Sequence, residues 1–204
     1  MKISYAITVS TEITEFSELM KYIVGHMSSE DEIVVLVDES KGFSEDIEVF
    51  EGNNIHYFYD VFQNNFADWK NNLNSHCMGD WIFQIDADEM PSEPLIQHLH
   101  EILDINSKAE CIALPRKNIV NGITPEDILR WRWRNSEHGI NWPDYQCRLY
   151  RNNFKIRWKG LVHEKLVGFD TYTCVPPDNT PYYLNHFKTI EKQKKQNSYY
   201  ETLK

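Results

Sequence analysis

The sequence contains no stretch approaching the roughly 20 apolar residues that a membrane-spanning helix needs. Its first ten residues have neither the basic lead nor the long apolar run of a secretory signal. A soluble, cytoplasmic protein is the expectation. Cysteine is sparse: Cys77, Cys111, Cys147 and Cys174 stand far apart with no C-x-x-C spacing. That pattern points to neither a zinc site nor a disulfide framework, and reduced, buried thiols are expected. There is no internal repeat and no low-complexity tract. Positive charge is also in deficit, with 21 Lys and Arg against 31 Asp and Glu and a net charge of −10. Nucleic acid is therefore disfavoured as a partner of the whole molecule. The deficit is uneven: up to Leu114 there are 5 basic and 22 acidic residues, and from Pro115 onward 16 basic and 9 acidic. The two halves are expected to do different jobs.

What is present, over 204 residues, is enough for one domain with a sizeable core. Residues 3–9 alternate as a strand, residues 33–37 form a β-branched run suited to a strand buried on both sides, and Phe16, Leu19, Met20 and Ile23 recur at helical spacing between them, with Thr14 as an N-cap. Strands at 55–59, 81–85 and 111–114 and helices at 66–77 and 95–103 continue the rhythm. Strands alternating with helices predict an α/β fold with a mostly parallel sheet, helices on both faces and ligands gathered at the carboxyl ends of the strands. After Pro115 the rhythm breaks into a smaller irregular region. Strands are expected at 145–150, 161–167 and 182–187, a proline-rich loop at 175–181, and a polar helical tail carrying Lys192, Lys194 and Lys195. The division is thus a ligand-binding α/β half, 1–114, and a second half of the same domain, 115–204.

The densest chemistry lies where the apolar strand 81–85 runs out into Asp86, Asp88 and Glu89. Residues two apart on an extended chain point the same way, so Asp86 and Asp88 can face one ligand. Carboxylate oxygens are hard donors suited to Mg²⁺ or Mn²⁺, and such sites keep positions open for water or substrate phosphate. The other reading is that these acids are solvated or cap the helix that follows.

Phe66-Ala67-Asp68-Trp69-Lys70-Asn71-Asn72, Gly79-Asp80-Trp81, Asp86-Ala87-Asp88-Glu89 and Val162-His163-Glu164 together resemble family 2 glycosyltransferases of the GT-A fold, in particular small non-processive members such as lipopolysaccharide-core glucosyltransferases. The resemblance is good over residues 3–114 and looser afterwards. It implies that the loop from Thr8 through Ser10 to Glu12 contacts the nucleotide base, with Thr11 where the family usually has Asn. It implies further that Asp38 reads a uracil-type base, Lys70 lies near the nucleotide, Asp86 meets the ribose and Asp88 holds a metal ion. On the residues alone, Asp38 is a turn former after a buried strand and Lys70 an exposed helix lysine.

Direct displacement at the anomeric carbon needs a group to take the proton of the acceptor hydroxyl. In this family the role falls to an acid from the second half. Glu164 is the first candidate and Asp144 the second. His163 and Glu164 should face opposite sides of a strand unless the chain turns there. His186 resembles a late histidine that closes over metal or phosphates, and a neutral imidazole can complete a Mn²⁺ shell; the plainer alternative is a structural histidine. Tryptophans favour the second half. Trp142 is a candidate acceptor contact through ring stacking on a sugar and Arg148 one through phosphate or carboxylate; the plainer reading, that such rings form the core of a small irregular subdomain, is favoured for Trp158. Gln146-Cys147-Arg148-Leu149-Tyr150 departs from the Q-x-x-R-W signature, which argues against a processive polymer synthase.

These readings combine into a metal-dependent (Mn²⁺ or Mg²⁺), inverting transfer of one sugar from a nucleotide diphosphate donor, a UDP-sugar first, to a hydroxyl of a glycan or lipid-linked acceptor. The basic tail leaves room for a peripheral membrane contact. One alternative is a sugar-phosphate nucleotidyltransferase, which usually has a glycine-rich basic loop after its first strand; Val9-Ser10-Thr11-Glu12 has neither feature. The other is a non-catalytic carbohydrate-binding protein on the same fold.

Overall fold

The structure, a computed structural model, describes residues 1–42, 50–178 and 181–202. Strand β1 (Ile3–Val9) is followed by helix α1 (Ile13–His26), β2 (Glu32–Asp38), a 3-10 turn at Glu39–Lys41, β3 (Ile55–Asp60), α2 (Phe66–Ser75) and β4 (Trp81–Asp86). After the short β5 (Glu89–Pro91) come α3 (Glu93–Gln97), α4 (Leu99–Ile105) and the long β6 (Cys111–Asn121). The second half contributes α5 (Pro125–Trp131), β7 (Asn135–Ser136), β8 (Gly139–Arg151), β9 (Arg157–Lys159), β10 (Lys165–Val167), β11 (Tyr172–Cys174), β12 (Leu184–Thr189) and α6 (Ile190–Thr202).

One sheet runs β3-β2-β1-β4-β8-β6-β12-β5. β1, β2, β3 and β4 are mutually parallel where they pair, and β8 runs antiparallel between β4 and β6. β1 therefore lies between β2 and β4, so the chain reverses its winding direction there and a crevice opens outside the carboxyl ends of those strands. The register puts Thr8 of β1 opposite Asp86 of β4 and, on its other side, Leu36, two residues short of Asp38. β2 is buried along its whole length, as a β-branched run between two helical layers should be. α1 packs Phe16, Leu19, Met20 and Ile23 on one side of the sheet; α2 packs Ala67, Trp69 and Leu73 on the other. Among the described residues no helix is long and apolar enough to cross a membrane.

Several expected elements shift. Thr14 lies inside α1, whose N-cap is Glu12, without a side-chain capping bond. α2 is capped by Asn65, whose Oδ1 accepts from the backbone N–H groups of Ala67 and Asp68. The helix expected at 95–103 is broken at His98 into α3 and α4. The strand expected at 161–167 begins only at Lys165, because Gly160 and His163 have left-handed φ values of 110° and 55° and turn the chain. The proline-rich loop includes residues 179–180, which lie outside the described residues. All four cysteines are free, Cys77 and Cys111 buried as expected, but Cys147 is half-buried and Cys174 exposed.

At the opposite end of the sheet Glu32 is fully buried and accepts from Lys2 Nζ, Ser4 Oγ and the Met78 N–H. Burial alone would push its carboxyl pKa up, yet these donors outweigh that and hold it below its ordinary value. A depressed folded-state pKa contributes stability above the unfolded pKa of about 4.3, and that contribution is lost as pH falls through the folded value. Glu32→Gln is expected to lower the unfolding free energy at pH 7 by about 1–3 kcal/mol. The gap to the native protein should close below about pH 4, as urea titrations across pH would measure. A gap unchanged at low pH would refute the assignment.

Candidate active site

At the carboxyl ends of β1, β2 and β4 lies a cleft of about 830 Å³, lined by Thr8, Ser10, Glu12, Asp38, Lys70, Asp86, Asp88, Asp144, Arg148, Glu164 and His186 among others. Residues 130 positions and more apart in sequence therefore share one cavity. Two charged assemblies organise it.

The first is a chain of alternating charge along the cleft floor. Lys70 Nζ sits 2.7 Å from Glu164 Oε1 and 3.2 Å from Asp86 Oδ1. Arg148 Nη2 donates to Asp86 Oδ2 at 2.5 Å and to Glu89 Oε1 at 2.6 Å. Arg116 Nη1 donates to the same Glu89 oxygen at 2.7 Å, and its Nε and Nη2 donate to Asp144 Oδ2 at 3.0 and 2.7 Å. Glu164, Lys70, Asp86, Arg148, Glu89, Arg116 and Asp144 thus alternate sign without a break. The crowding of acids at the end of β4 is relieved by cations of the protein itself, two of them from β6 and β8. For Asp86, burial alone would raise the carboxyl pKa, but the charges of Arg148 and Lys70 reverse this and hold it well below the usual carboxylate range.

Asp88 belongs to the second assembly. β4 ends at Asp86, a turn carries Ala87 and Asp88, and the alternation expected of an extended chain stops there. Asp88 Oδ2 lies 3.6 Å from His186 Nε2, 3.3 Å from Lys192 Nζ and 4.0 Å from Lys188 Nζ. His186 arrives because β12 pairs with β6 on one side and with β5 on the other, where it faces Glu89 across the ladder. Its Nδ1 is 2.7 Å from Asn118 Oδ1, and an amide oxygen can only accept, so Nδ1 carries the hydrogen. Burial holds the imidazole pKa below its ordinary value despite Asp88. A neutral ring then aims the Nε2 lone pair at a carboxylate oxygen, an arrangement that a cation between them would satisfy.

Among the described residues no three His, Cys, Asp or Glu side chains converge as an all-protein metal cage. Asp88 and His186 are chemically suited to hold a Mg²⁺ or Mn²⁺ ion, which would need most of its ligands from outside the protein. Lys192, one-third exposed, has to yield its contact with Asp88 to such an ion.

The sequence model for glycosyl transferase family 2 matches residues 16–166. The chain belongs to that family. No curated protein sequence matches it. The fold is similar to that of S. aureus TarS residues 1–349, with a TM-score of 0.58 at 12% identity over 93% of this chain and 60% of that one. The complex of the same TarS segment with UDP-GlcNAc gives 0.58 at 14% identity, over 92% and 59% of the two chains, and its UDP complex gives 0.58 at 12%, over 93% and 61%. This family 2 chain therefore spans about three-fifths of the TarS segment. The mixed sheet and its helices are of the GT-A type, as the sequence motifs implied.

Within this family 2 fold the expected site residues do not all stand as expected. Asp38 is nearly inaccessible: its Oδ1 accepts from the N–H groups of Ser40 and Phe62 and its Oδ2 from Ser10 Oγ at 3.1 Å. It ties the β1 and β2 loops together while lining the cleft. Lys70 is buried rather than exposed, with its ammonium 4.8 Å from the centroid of the Trp158 ring. Trp158 is a core residue, as read. Glu12 meets Lys192 at 3.8 Å. His163 and Glu164 both line the cleft because of the turn at Gly160–His163.

Two residues expected at an acceptor have other partners. Arg148 lines the cleft with only 2% of its side chain exposed and pairs with Asp86 and Glu89. Trp142 packs edge-on to Tyr183 with Lys117 near both rings, and it is absent from the cleft lining; Trp133 lines it instead. Asp144 is changed in a similar way. Burial works against its ionisation, but Arg116, Asn118 and Gln146 together hold its pKa below the ordinary value, so it is a weak proton acceptor. Of the tail lysines, half-buried Lys192 and exposed Lys195 line the cleft, and exposed Lys194 lies 3.7 Å from Asp127. Arg116, Asn118, Lys188 and the Tyr199–Tyr200 pair were not singled out from sequence. Their only early signal was the positive balance of the second half, which here faces the acids of the first.

Proposed function

We propose that this family 2 glycosyltransferase moves one sugar from a nucleotide diphosphate donor, a UDP-sugar, to a hydroxyl of a glycan or lipid-linked acceptor, with inversion and with Mn²⁺ or Mg²⁺. The observation that carries the reading is the convergence of Asp38, Asp86, Asp88 and Glu164 on a single cleft at the winding reversal of the sheet. The fold's similarity to a TarS segment described with UDP-GlcNAc and with UDP supports uridine over other bases.

In this reading the loop from Thr8 to Glu12 and Asp38 bind the base, and Asp86, fixed by Lys70 and Arg148, accepts from the ribose hydroxyls. Asp88 and His186 would hold the ion, which when bound spreads the charge developing on the departing diphosphate. Glu164, on the rigid turn after Gly160, takes the proton from the acceptor hydroxyl as that oxygen attacks. Trp133 presents an aromatic face to the acceptor sugar.

UDP, GDP and CDP with Mn²⁺ are to be compared by thermal denaturation. A ligand at 100 times its Kd adds about 2.7 kcal/mol to folding stability, so a rise of roughly 5–10 °C is expected with UDP. Asp88→Asn should abolish the Mn²⁺-dependent share of that rise. If none of the three nucleotides stabilises the native protein, the reading fails.

A further inference from the structure

We propose that Lys188 and Lys192, at the junction of β12 and α6, are direct ligands of the donor's diphosphate. This assignment rests on the nucleotide-sugar reading of the same cleft.

The charge around Asp88 is the starting point. That single carboxylate faces two ammonium groups, and its neighbour His186 contributes no negative charge. Lys188 is only 9% exposed, yet it lines the cleft. Among the described residues the acid within ion-pair distance of it, Asp88, lies at the 4.0 Å edge of contact and is shared with Lys192, while Lys188 Nζ donates to the neutral amide oxygen of Gln196 at 2.7 Å. A buried ammonium compensated so weakly is costly unless an anion completes its shell. The carboxylates of the cleft-floor ladder pair at ion-pair distance with Lys70, Arg148 and Arg116, and Asp86 acts on Lys188 only from farther away. The space in front of Lys188 is the open cleft.

Lys192 is placed to follow the same anion. It lies between Asp88 at 3.3 Å and the two glutamates Glu12 and Glu15 at 3.8 and 3.5 Å, contacts too long for tight pairing. A divalent ion on Asp88 repels this ammonium, and phosphate oxygens bound to that ion are the nearest strong acceptors it can take up. α6 is built for such an adjustment. Only Ile190 of its residues is buried, and its contacts across the cleft are mostly polar, among them Tyr199 Oη with Asn64 Oδ1 at 2.6 Å and Lys188 with Gln196, beside the Tyr200 ring on Phe66 and His163. The ammonium of lysine suits this use, because it supplies a mobile point charge and three donors to phosphate oxygens without demanding a planar partner.

Isothermal titration of UDP and of uridine, each in EDTA and in Mn²⁺, separates this role from a structural one. Lys188→Met is expected to weaken UDP binding about 10- to 100-fold in both buffers, Lys192→Met by about as much in Mn²⁺, and both variants to leave uridine binding as in the native protein. Lys188→Arg should recover most of the loss. Unchanged UDP affinity in both methionine variants overturns the proposal, as does an equal loss for uridine, which would mean that the lysines only hold the cleft in shape. Native protein that binds uridine and UDP equally also overturns it while leaving base recognition intact. Native protein that binds neither defeats the underlying nucleotide reading as well. Lys192 is partly exposed and its removal leaves no buried vacancy, so that variant remains informative if Lys188→Met folds poorly.

Discussion

Glu164→Gln is expected to lower kcat by about 10²–10⁴-fold while UDP affinity stays near that of the native protein. Glutamine has the same shape, and its amide oxygen can still accept from Lys70, which now meets Glu164 Oε1 at 2.7 Å. What it cannot do is take a proton. Asp144, the other acid of the second half near the cleft, accepts from Arg116, Asn118 and Gln146. It cannot substitute, because protonating it forfeits those charge-assisted bonds. Glu164 keeps a second oxygen that no described side chain engages, on a turn whose left-handed residues Gly160 and His163 fix where it points. The measurement is release of UDP from a set of UDP-sugars across a panel of glycan acceptors, with titration of UDP in parallel. Activity within tenfold of native would remove Glu164 from the role of base. Equal loss of UDP affinity would recast it as a prop for Lys70.

The first half of the chain was legible because its signals are local. A β-branched run such as residues 33–37 has one good solution, a strand covered on both faces, and the helical spacing of Phe16 to Ile23 another. The order of these elements then locates the crevice without any tertiary detail. Asp86, Asp88 and Glu164 could be placed at one cavity on that basis together with the family motifs. Charge pairing was not legible, since the partners of Asp86 and Glu89 come from β6 and β8, and no periodicity in 115–204 reveals which face of an irregular strand Arg116 or Arg148 will present. Arg148 illustrates this: from sequence an arginine among tryptophans reads as a contact to an acceptor's phosphate or carboxylate, and the antiparallel pairing of Leu149 with Phe83 brings it beside Asp86 and Glu89 at the end of β4. Trp142 was hidden for a related reason, because it packs with Lys117 of β6 and with Tyr183, just before β12. α6 was read as a polar helical tail because its sequence is polar on every side. It is polar because it spans a cleft and touches charged groups, not a core.

Arg148→Met is expected to destabilise the fold by about 3–5 kcal/mol, a larger loss than at any residue of the cleft rim. The guanidinium has 2% of its side chain exposed, and one nitrogen, Nη2, bridges Asp86 and Glu89, the latter with a fully buried side chain. Methionine fills similar volume, so the packing of β8 on β4 survives, but two carboxylates are left sharing Lys70 and Arg116. Removing one partner of a buried network exposes the desolvation cost of those that remain. In a chain of this length a loss of that size lowers Tm by roughly 6–20 °C. Arg148→Lys should recover only part of it, because an ammonium on a shorter stem reaches one carboxylate and not both. Combining Arg148→Met with Glu89→Gln distinguishes charge from shape. If the buried charge of Glu89 carries the penalty, the double variant is more stable than Arg148→Met alone, since neutralising that acid removes the group left uncompensated. If the double variant is no better, the arginine acts by filling space, and the alternating ladder is a consequence of the fold and not one of its supports.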